Sequence, residues 1–226
     1  MTEEDAKRSQ HEDYLERARG QIAFEAQERS VDEETFLSVV QQAIDAVEAA
    51  EIPYVMHGGL AVSIWGRPRW THDLDLLVQP QHAKPALDAL EGRGFASHET
   101  DPTWLFKALK DGVLVDVLFK VVGDIYLDDE MLAHARRESL KEIELNVISP
   151  EDLLIIKVTA FDEQTSRHWF DALGILAQTE LDWDYLLQRA RRSARRLLSV
   201  LLFAQSNDVL VPDSVVDSLL AAIRAD

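Results

Sequence analysis

The stretch that decides the fold is HGGLAVSIWGRPRWTHDLDLLV, which spans residues 57–78. Its last part alternates as a strand does, so Asp73 and Asp75 should share one face while Leu74 and Leu76 enter the core. Two carboxylates side by side repel each other unless a divalent cation lies between them. Oxygen ligands of this kind suit Mg²⁺. The stretch therefore predicts a strand that carries a metal site, with a cap of the preceding turn as the simpler alternative for the two acids.

A third carboxylate, Asp116, stands in the middle of the apolar run of residues 113–119. A bare charge inside such a strand is costly. If this strand pairs beside the strand of Asp73 and Asp75, Asp116 completes a three-carboxylate site for Mg²⁺, or for Mn²⁺ in its place. The alternative is a buried arginine or lysine that pairs with Asp116, because buried acids usually have partners.

Two glycines, Gly58 and Gly59, follow the short apolar run of residues 54–56. Glycines at the end of a strand let the backbone approach a phosphate group closely, and their amides can point at its oxygens. A tight turn without further function is the alternative for this pair alone. The flanking His57 and His72 are interpreted as structural. Glycines followed by two acids and a later third acid indicate a site for phosphate and metal together.

Apolar periodicity predicts the elements around this stretch. Helices are predicted over residues 33–51, 60–65 and 80–92, and strands over 54–56, 74–78, 104–109 and 113–121. Asp111 and Gly112 predict a hairpin between the last two strands. Further helices are predicted over 153–161, 170–177, 185–202 and 215–223. The expected fold is α/β (α+β): a polar arm or helix (1–32), a small mixed sheet with flanking helices (33–148), and a helical C-terminal domain (149–226).

Composition narrows the class of protein. The chain has 226 residues, with 23 basic and 41 acidic ones, so its formal charge is 23 − 41 = −18. Hydrophobic residues make up 46%, enough to bury a core, and cysteine is absent, which excludes disulfides and thiolate metal sites. No apolar run approaches the ~20 residues that cross a bilayer, and the first residues carry no secretory signal, so a cytoplasmic protein is expected. The negative charge disfavours sequence-independent binding of duplexes.

The pattern resembles the nucleotidyltransferase superfamily with the DNA polymerase beta-like fold. That superfamily has a Gly-Gly or Gly-Ser turn, a short helix, an Asp-x-Asp strand and a third acid on a neighbouring strand. Those places are occupied here by Gly58, Gly59, Asp73, Asp75 and Asp116. Residues 66–73, GRPRWTHD, are also similar to minimal aminoglycoside nucleotidyltransferases and to AbiEii/MenT-type toxins, in which an arginine and a Thr or Ser precede the first Asp.

The resemblance implies transfer of a nucleoside monophosphate from an NTP to a hydroxyl, with release of pyrophosphate. It implies metal ions on the three acids, with Asp116 as general base or a ligand beside it, and Lys157 steadying phosphate charge. The nucleotide-binding residues that it implies are Gly58, Gly59, Arg69, Thr71, Lys157 and Asp171. The order of Lys157, Arg167 and Asp171 is similar to the active cleft of AbiEii/MenT-type proteins, although the spacing differs. Solvated charges and an exposed Arg167–Asp171 pair one helical turn apart are the simpler alternative.

The acceptor stays open between several classes. A basic run on one predicted helix would bind an RNA acceptor such as a tRNA end, or would pair with acids of the same chain. The run consists of Arg189, Arg191, Arg192, Arg195 and Arg196. The acidic surface favours a cationic, aminoglycoside-like small molecule instead. A toxin controlled by a cognate antitoxin, and a non-catalytic descendant that binds a nucleotide or a protein, are the remaining alternatives.

Overall fold

The structure is a computed structural model that describes residues 24–69, 71–162 and 164–225, without the side chain of Arg192. The predicted polar arm over residues 1–32 therefore lies mostly outside the described residues. No helix in the described ranges combines the length and the apolar character needed to cross a membrane.

A mixed sheet forms the centre of the described chain. Its strands are β1 (Tyr54–Met56), β2 (Asp73–Val78), β3 (Ala96–Asp101), β4 (Leu105–Lys110), β5 (Val113–Leu118), β6 (Arg136–Leu140) and β7 (Ile143–Val147). They lie in the order β3-β4-β5-β2-β1-β7-β6. The pairs β2–β5 and β1–β7 are parallel, and the other neighbours are antiparallel. The predicted mixed sheet is confirmed.

Helices flank the sheet and fill the last third of the described chain. They are α1 (Glu33–Ala49), α2 (Gly58–Trp65), α3 (Ala83–Gly92), α4 (Asp129–His134), α5 (Pro150–Ala160), α6 (Arg167–Gln178), α7 (Trp183–Arg189), α8 (Ala194–Gln205) and α9 (Asp213–Ala225). Short 3₁₀ turns cover Pro80–His82 and Ala190–Arg192. The helices and the sheet share a hydrophobic core that runs from Phe36 to Leu219.

Two helices are fixed where the functional residues lie. The Trp65 indole at the end of α2 donates a hydrogen bond to the carbonyl of Ile148 at 2.7 Å, which ties α2 to the chain that follows β7. Ser149 caps α5, because its hydroxyl accepts from the Asp152 N–H at 3.1 Å. The end of α2 and the start of α5 are therefore both held next to the end of β7.

The predicted hairpin between β4 and β5 is confirmed. Lys110 pairs with Val113, and the two turn residues between them, Asp111 and Gly112, have φ of 51° and 88°. Positive φ at both positions is the requirement of a type I′ turn. The resulting register places Lys107 opposite Asp116.

Some elements differ from the predictions. The strands β3, β6 and β7 and the helix α4 were not predicted from the apolar pattern. The single helix predicted over residues 185–202, and with it the basic helix of the arginine run, is wrong. The chain forms α7, a 3₁₀ turn and α8 instead. The break falls at Ser193, which is buried and whose hydroxyl bonds that of Thr159 on α5 at 2.5 Å.

Candidate active site

The first part of the site is a row of charged residues across three strands. Asp75 on β2 lies beside Asp116 on β5, and Asp116 lies beside Lys107 on β4. Neighbouring residues in register point to the same face of a sheet, so the three side chains project together. Asp73 lies on the same face as Asp75, two residues earlier, and its carboxylate accepts a hydrogen bond from the Thr71 hydroxyl. The three predicted acids are thus brought together.

The two glycines approach these acids so closely that no side chain fits. Gly58 begins α2 with φ +66°, and a Cβ built on it would lie 1.7 Å from Oδ2 of Asp75. A Cβ on Gly59 would lie 2.7 Å from the hydroxyl oxygen of Thr71 and 3.1 Å from Nη2 of Arg69. These contacts explain why glycine is required at both positions. They also aim the start of α2 at the acids, where its free N–H groups favour negative charge.

A second cluster of charges joins Lys157 on α5, Asp171 on α6 and Arg69, which precedes β2. Lys157 on α5 has its Nζ 3.0 Å from Oδ2 of Asp171 on α6, and Arg69 has its Nε 3.4 Å from Oδ1 of the same carboxylate. Asp171 is fully buried and Lys157 is 4% exposed. The alternative of an exposed Arg167–Asp171 pair is therefore wrong, because Asp171 turns inward to two other cations.

A cavity of about 470 Å³ lies between the acids and this cluster. Three cations line it, namely Arg69, Lys157 and Arg167. Four acids and the partly exposed indole of Trp104 line it as well. The acids are Glu28, Asp73, Asp75 and Asp116. The cavity thus offers both cations and carboxylates to a ligand.

The surroundings of Asp75 strongly disfavour the ionised form of its carboxyl group. Burial, followed by the negative charges of Asp73 and Asp116, raises the pKa of Asp75 to about 7. The N–H of Gly59 and the charge of Lys157 oppose this shift without cancelling it. Burial also raises the pKa of Asp116. Such a cluster is short of positive charge.

His57 lines the cavity as a neutral side chain. Burial, together with the nearby charge of Lys157, lowers the pKa of His57 to about 3. Its Nε2 has no hydrogen-bond partner within the described part of the chain. His168 also lines the cavity, and burial lowers its pKa to about 4. Both imidazoles are therefore available to a ligand as uncharged groups.

The acids fit a hard divalent cation by their chemistry and by their unmet charge. They do not form a ready cage, because among the described residues no three acidic or histidine side chains are grouped as metal ligands. The reason lies in their partners. Both oxygens of Asp116 face Nζ of Lys107, at 2.7 and 2.9 Å, while Asp73 is held by Thr71. Asp116 thus has a buried basic partner, Lys107, as the alternative interpretation of the sequence expected.

The sequence interpretation missed three residues at this site. Lys107, Glu25 and Glu28 were not singled out, although Lys107 stands inside an apolar strand as Asp116 does. Glu25 lies 3.4 Å from Nζ of Lys107, and Glu28 lines the cavity. The raised pKa of Glu28 follows from its partial burial and from the charge of Asp73.

A mixed sheet with a Gly-Gly helix start facing an Asp-x-Asp strand, and a third acid on the parallel neighbour, agrees with the arrangement that the resemblance to nucleotidyltransferases implies. Residues 36–192 match the family model described as "Nucleotidyl transferase of unknown function (DUF2204)". This match covers more than half of the chain. The chain therefore belongs to that family of nucleotidyltransferases. A search of curated protein sequences gives no significant match.

Solved structures of nucleotidyltransferases share the fold. The antibiotic-resistance factor ANT(2'')-Ia is similar with a TM-score of 0.51 and 16% identity over 86% of this chain and 94% of that one. The same enzyme in complex with adenylyl-2''-tobramycin aligns with a TM-score of 0.51 and 15% identity, over 71% and 98% of the two chains. The lincosamide antibiotic adenylyltransferase LnuA, with lincomycin bound, gives 0.46 and 16% over 65% and 98%.

Proposed function

We propose that the protein transfers a nucleoside monophosphate from an NTP to a hydroxyl acceptor in an Mg²⁺-dependent reaction. The observation that carries the proposal is one cavity lined both by the three acids Asp73, Asp75 and Asp116 and by the cations Arg69, Lys157 and Arg167. Membership of a nucleotidyltransferase family supplies the reaction class. A non-catalytic descendant would have no need to keep three acids at the cost of the repulsion seen at Asp75.

Mg²⁺, or Mn²⁺, would be held by Asp73, Asp75 and Asp116 together with phosphate oxygens of the nucleotide. Bound there, the metal would offset the charge that develops on the α-phosphate and on the leaving pyrophosphate. A metal ion would stabilise the ionised form of Asp75 in particular, because burial and the charges of Asp73 and Asp116 disfavour that form.

The remaining residues act on the substrate. Lys157, Arg69 and Arg167 of the cavity lining bind the triphosphate, and the N–H groups at Gly58 and Gly59 donate to its oxygens. Asp116 receives the proton of the acceptor hydroxyl. The acceptor oxygen then forms a bond to the α-phosphorus, and the bond from that phosphorus to the bridging oxygen breaks. Pyrophosphate leaves with the electron pair.

For the acceptor we propose a small, neutral or cationic hydroxyl compound. The arginine run that would hold RNA is largely engaged within the protein. Arg189 pairs with Asp152 at 2.7 Å and with Asp128 at 2.8 Å. Arg196 donates to three backbone carbonyls near the end of α5, the shortest at 2.5 Å. Since Glu28 adds negative charge beside the catalytic acids, an RNA strand would meet repulsion at the cavity.

The compound in the ANT(2'')-Ia complex is adenylyl-2''-tobramycin, a small molecule that carries an adenylyl group, and it supports the proposal. A toxin role with a cognate antitoxin stays a prediction. Recovery of a tightly bound protein encoded beside this chain would support it.

The test is incubation of the protein with each α-labelled NTP, Mg²⁺, and either tobramycin or total RNA as acceptor. The inactive variant is Asp73→Asn with Asp75→Asn. The matched control is Asp45→Asn with Asp88→Asn, which removes two exposed acids away from the cavity.

We expect labelled tobramycin with the native protein and the control, and none with the inactive variant. Label on RNA alone would reject the acceptor class but keep the transferase. No Mg²⁺-dependent label or NTP binding would favour the non-catalytic alternative.

A further inference from the structure

Lys107 is a buried lysine that contacts the acid cluster through Asp116. It is 7% exposed, and its Nζ lies within hydrogen-bond distance of both oxygens of Asp116, at 2.7 and 2.9 Å. Lys107 therefore binds both oxygens of Asp116, the same oxygens that a metal ion held by Asp116 would use.

The same amine has a second carboxylate within reach. Nζ of Lys107 lies 3.4 Å from Oε1 of Glu25, in the segment before α1. This segment is anchored independently of Lys107, because Phe24 is buried against Leu109 and Leu114. The N–H of Arg29 also donates to the carbonyl of Gly112 at 3.1 Å. Glu25 is thus held beside the amine, and Nζ of Lys107 lies within ion-pair distance of both acids.

A divalent ion at the three acids would compete with Lys107 for Asp116, because both are cations that need the same oxygens. Two positive charges in contact with one carboxylate repel each other strongly in a partly buried site. The lysine cannot leave without a partner, since an unpaired buried ammonium is costly. Glu25 is such a partner, because its Oε1 already lies 3.4 Å from Nζ of Lys107.

We propose that Lys107 is a movable counter-cation, which holds Asp116 in the metal-free protein and transfers to Glu25 when a metal ion takes Asp116. This inference rests on the proposed assignment of Asp73, Asp75 and Asp116 as metal ligands. Lys107 is then a positioning residue that tunes metal affinity, and Glu25 links the segment before α1 to the metal site.

A double-mutant cycle on Mn²⁺ binding separates this exchange from simple electrostatics. Free Mn²⁺ is measured by electron paramagnetic resonance during titration of the native protein, Lys107→Met, Glu25→Gln and the double variant. We expect Lys107→Met to tighten Mn²⁺ binding about tenfold, since Asp116 is then open, and Glu25→Gln to weaken it about fivefold. In the Lys107→Met background, Glu25→Gln should change the dissociation constant less than about twofold.

Independent charge effects predict a different cycle, in which Glu25→Gln weakens binding by the same factor in both backgrounds. That result would overturn the exchange, as would unchanged binding by Lys107→Met. The matched control is Lys110→Met, a lysine on the same strand that contacts Gln42 and the Arg93 carbonyl and lies outside the cavity lining. It should leave Mn²⁺ binding unchanged.

Lys107→Gln serves as a second variant if Lys107→Met does not fold, as judged by its circular dichroism melt. It keeps a hydrogen-bond donor near Asp116 but removes the charge, and should also tighten binding. Failure of the native protein to bind any Mn²⁺ would reject the metal assignment and the proposed function with it. If the protein binds Mn²⁺ but Glu25→Gln weakens binding by the same factor with and without Lys107→Met, only the exchange is rejected.

Discussion

Replacement of Asp75 by asparagine should stabilise the metal-free protein above neutral pH and abolish transfer. The folded state raises the pKa of this carboxyl from 3.8 to about 7, through burial and the charges of Asp73 and Asp116. A shift of about 3 units corresponds to a cost of about 4 kcal/mol once the carboxyl must ionise. Asparagine removes that cost but accepts the Gly59 N–H less well. We expect a net gain of about 1–3 kcal/mol in the free energy of unfolding at pH 8.

The raised pKa of Asp75 also determines how its contribution to the free energy of unfolding changes with pH. An acid with a raised pKa keeps a proton in the folded state that the unfolded chain has already lost between pH 3.8 and about 7. The contribution of Asp75 to stability therefore falls as pH rises through this window and stays low above it. The Asp75→Asn variant lacks this group, so its advantage should be small near pH 4 and reach a plateau above pH 7.

Urea unfolding in the presence of EDTA, at pH 5, 6, 7 and 8, measures the difference. Asp88→Asn, which removes an exposed acid on α3, is the control and should show no such rise in its advantage. The reasoning would be refuted if Asp75→Asn were less stable than the native protein at pH 8. It would also be refuted if the difference in free energy of unfolding between the two proteins were the same at every pH. The same variant should lose about 10³-fold or more in labelled transfer, because several kcal/mol of metal stabilisation is lost.

Three further predictions concern the same cavity. Mg²⁺ affinity, measured by calorimetry, should fall by up to about tenfold per pH unit below pH 7, because the metal must displace the proton of Asp75; an affinity that is flat from pH 5 to 8 would contradict this. Gly58→Ala should lose Mg²⁺ binding in the same assay, since its Cβ would lie 1.7 Å from the Asp75 carboxylate, whereas Gly92→Ala, with no atom near its Cβ, should not. Asp171→Asn should lower the free energy of unfolding by about 3 kcal/mol, because Lys157 would lose its buried partner; a urea midpoint equal to that of the native protein would exclude the buried charge cluster.

The sequence predicted the acids because strand geometry is local. Alternation of Asp73 and Asp75 with leucines, and an acid inside a run of valines, are patterns that one strand displays by itself. Lys107 was also within reach of such reasoning. A two-residue turn at Asp111 and Gly112 fixes the hairpin register, and that register pairs Lys107 with Asp116.

The hairpin of β6 and β7 was missed although half of its signal was present. Ile143, Leu145 and Val147 alternate with polar residues and are buried. The partner strand β6 carries mostly charged and polar side chains, because it lies at the edge of the sheet, so no apolar alternation marks it.

Other features depend on contacts between distant parts of the chain. Glu25 reaches the site because Phe24 is buried beside Leu109 and Leu114. The periodicity of the sequence does not predict this contact. The break between α7 and α8 coincides with a partly buried hydrogen bond between Ser193 and Thr159. Tertiary packing of this kind overrides helical propensity.

The most direct test of the account is the position of the metal. Crystals grown with Mn²⁺ and a non-hydrolysable ATP analogue should give anomalous difference peaks bounded by the carboxylates of Asp73, Asp75 and Asp116, with the triphosphate against Lys157. A nucleotide bound elsewhere, or Mn²⁺ absent from these three carboxylates while the nucleotide is present, would contradict the account.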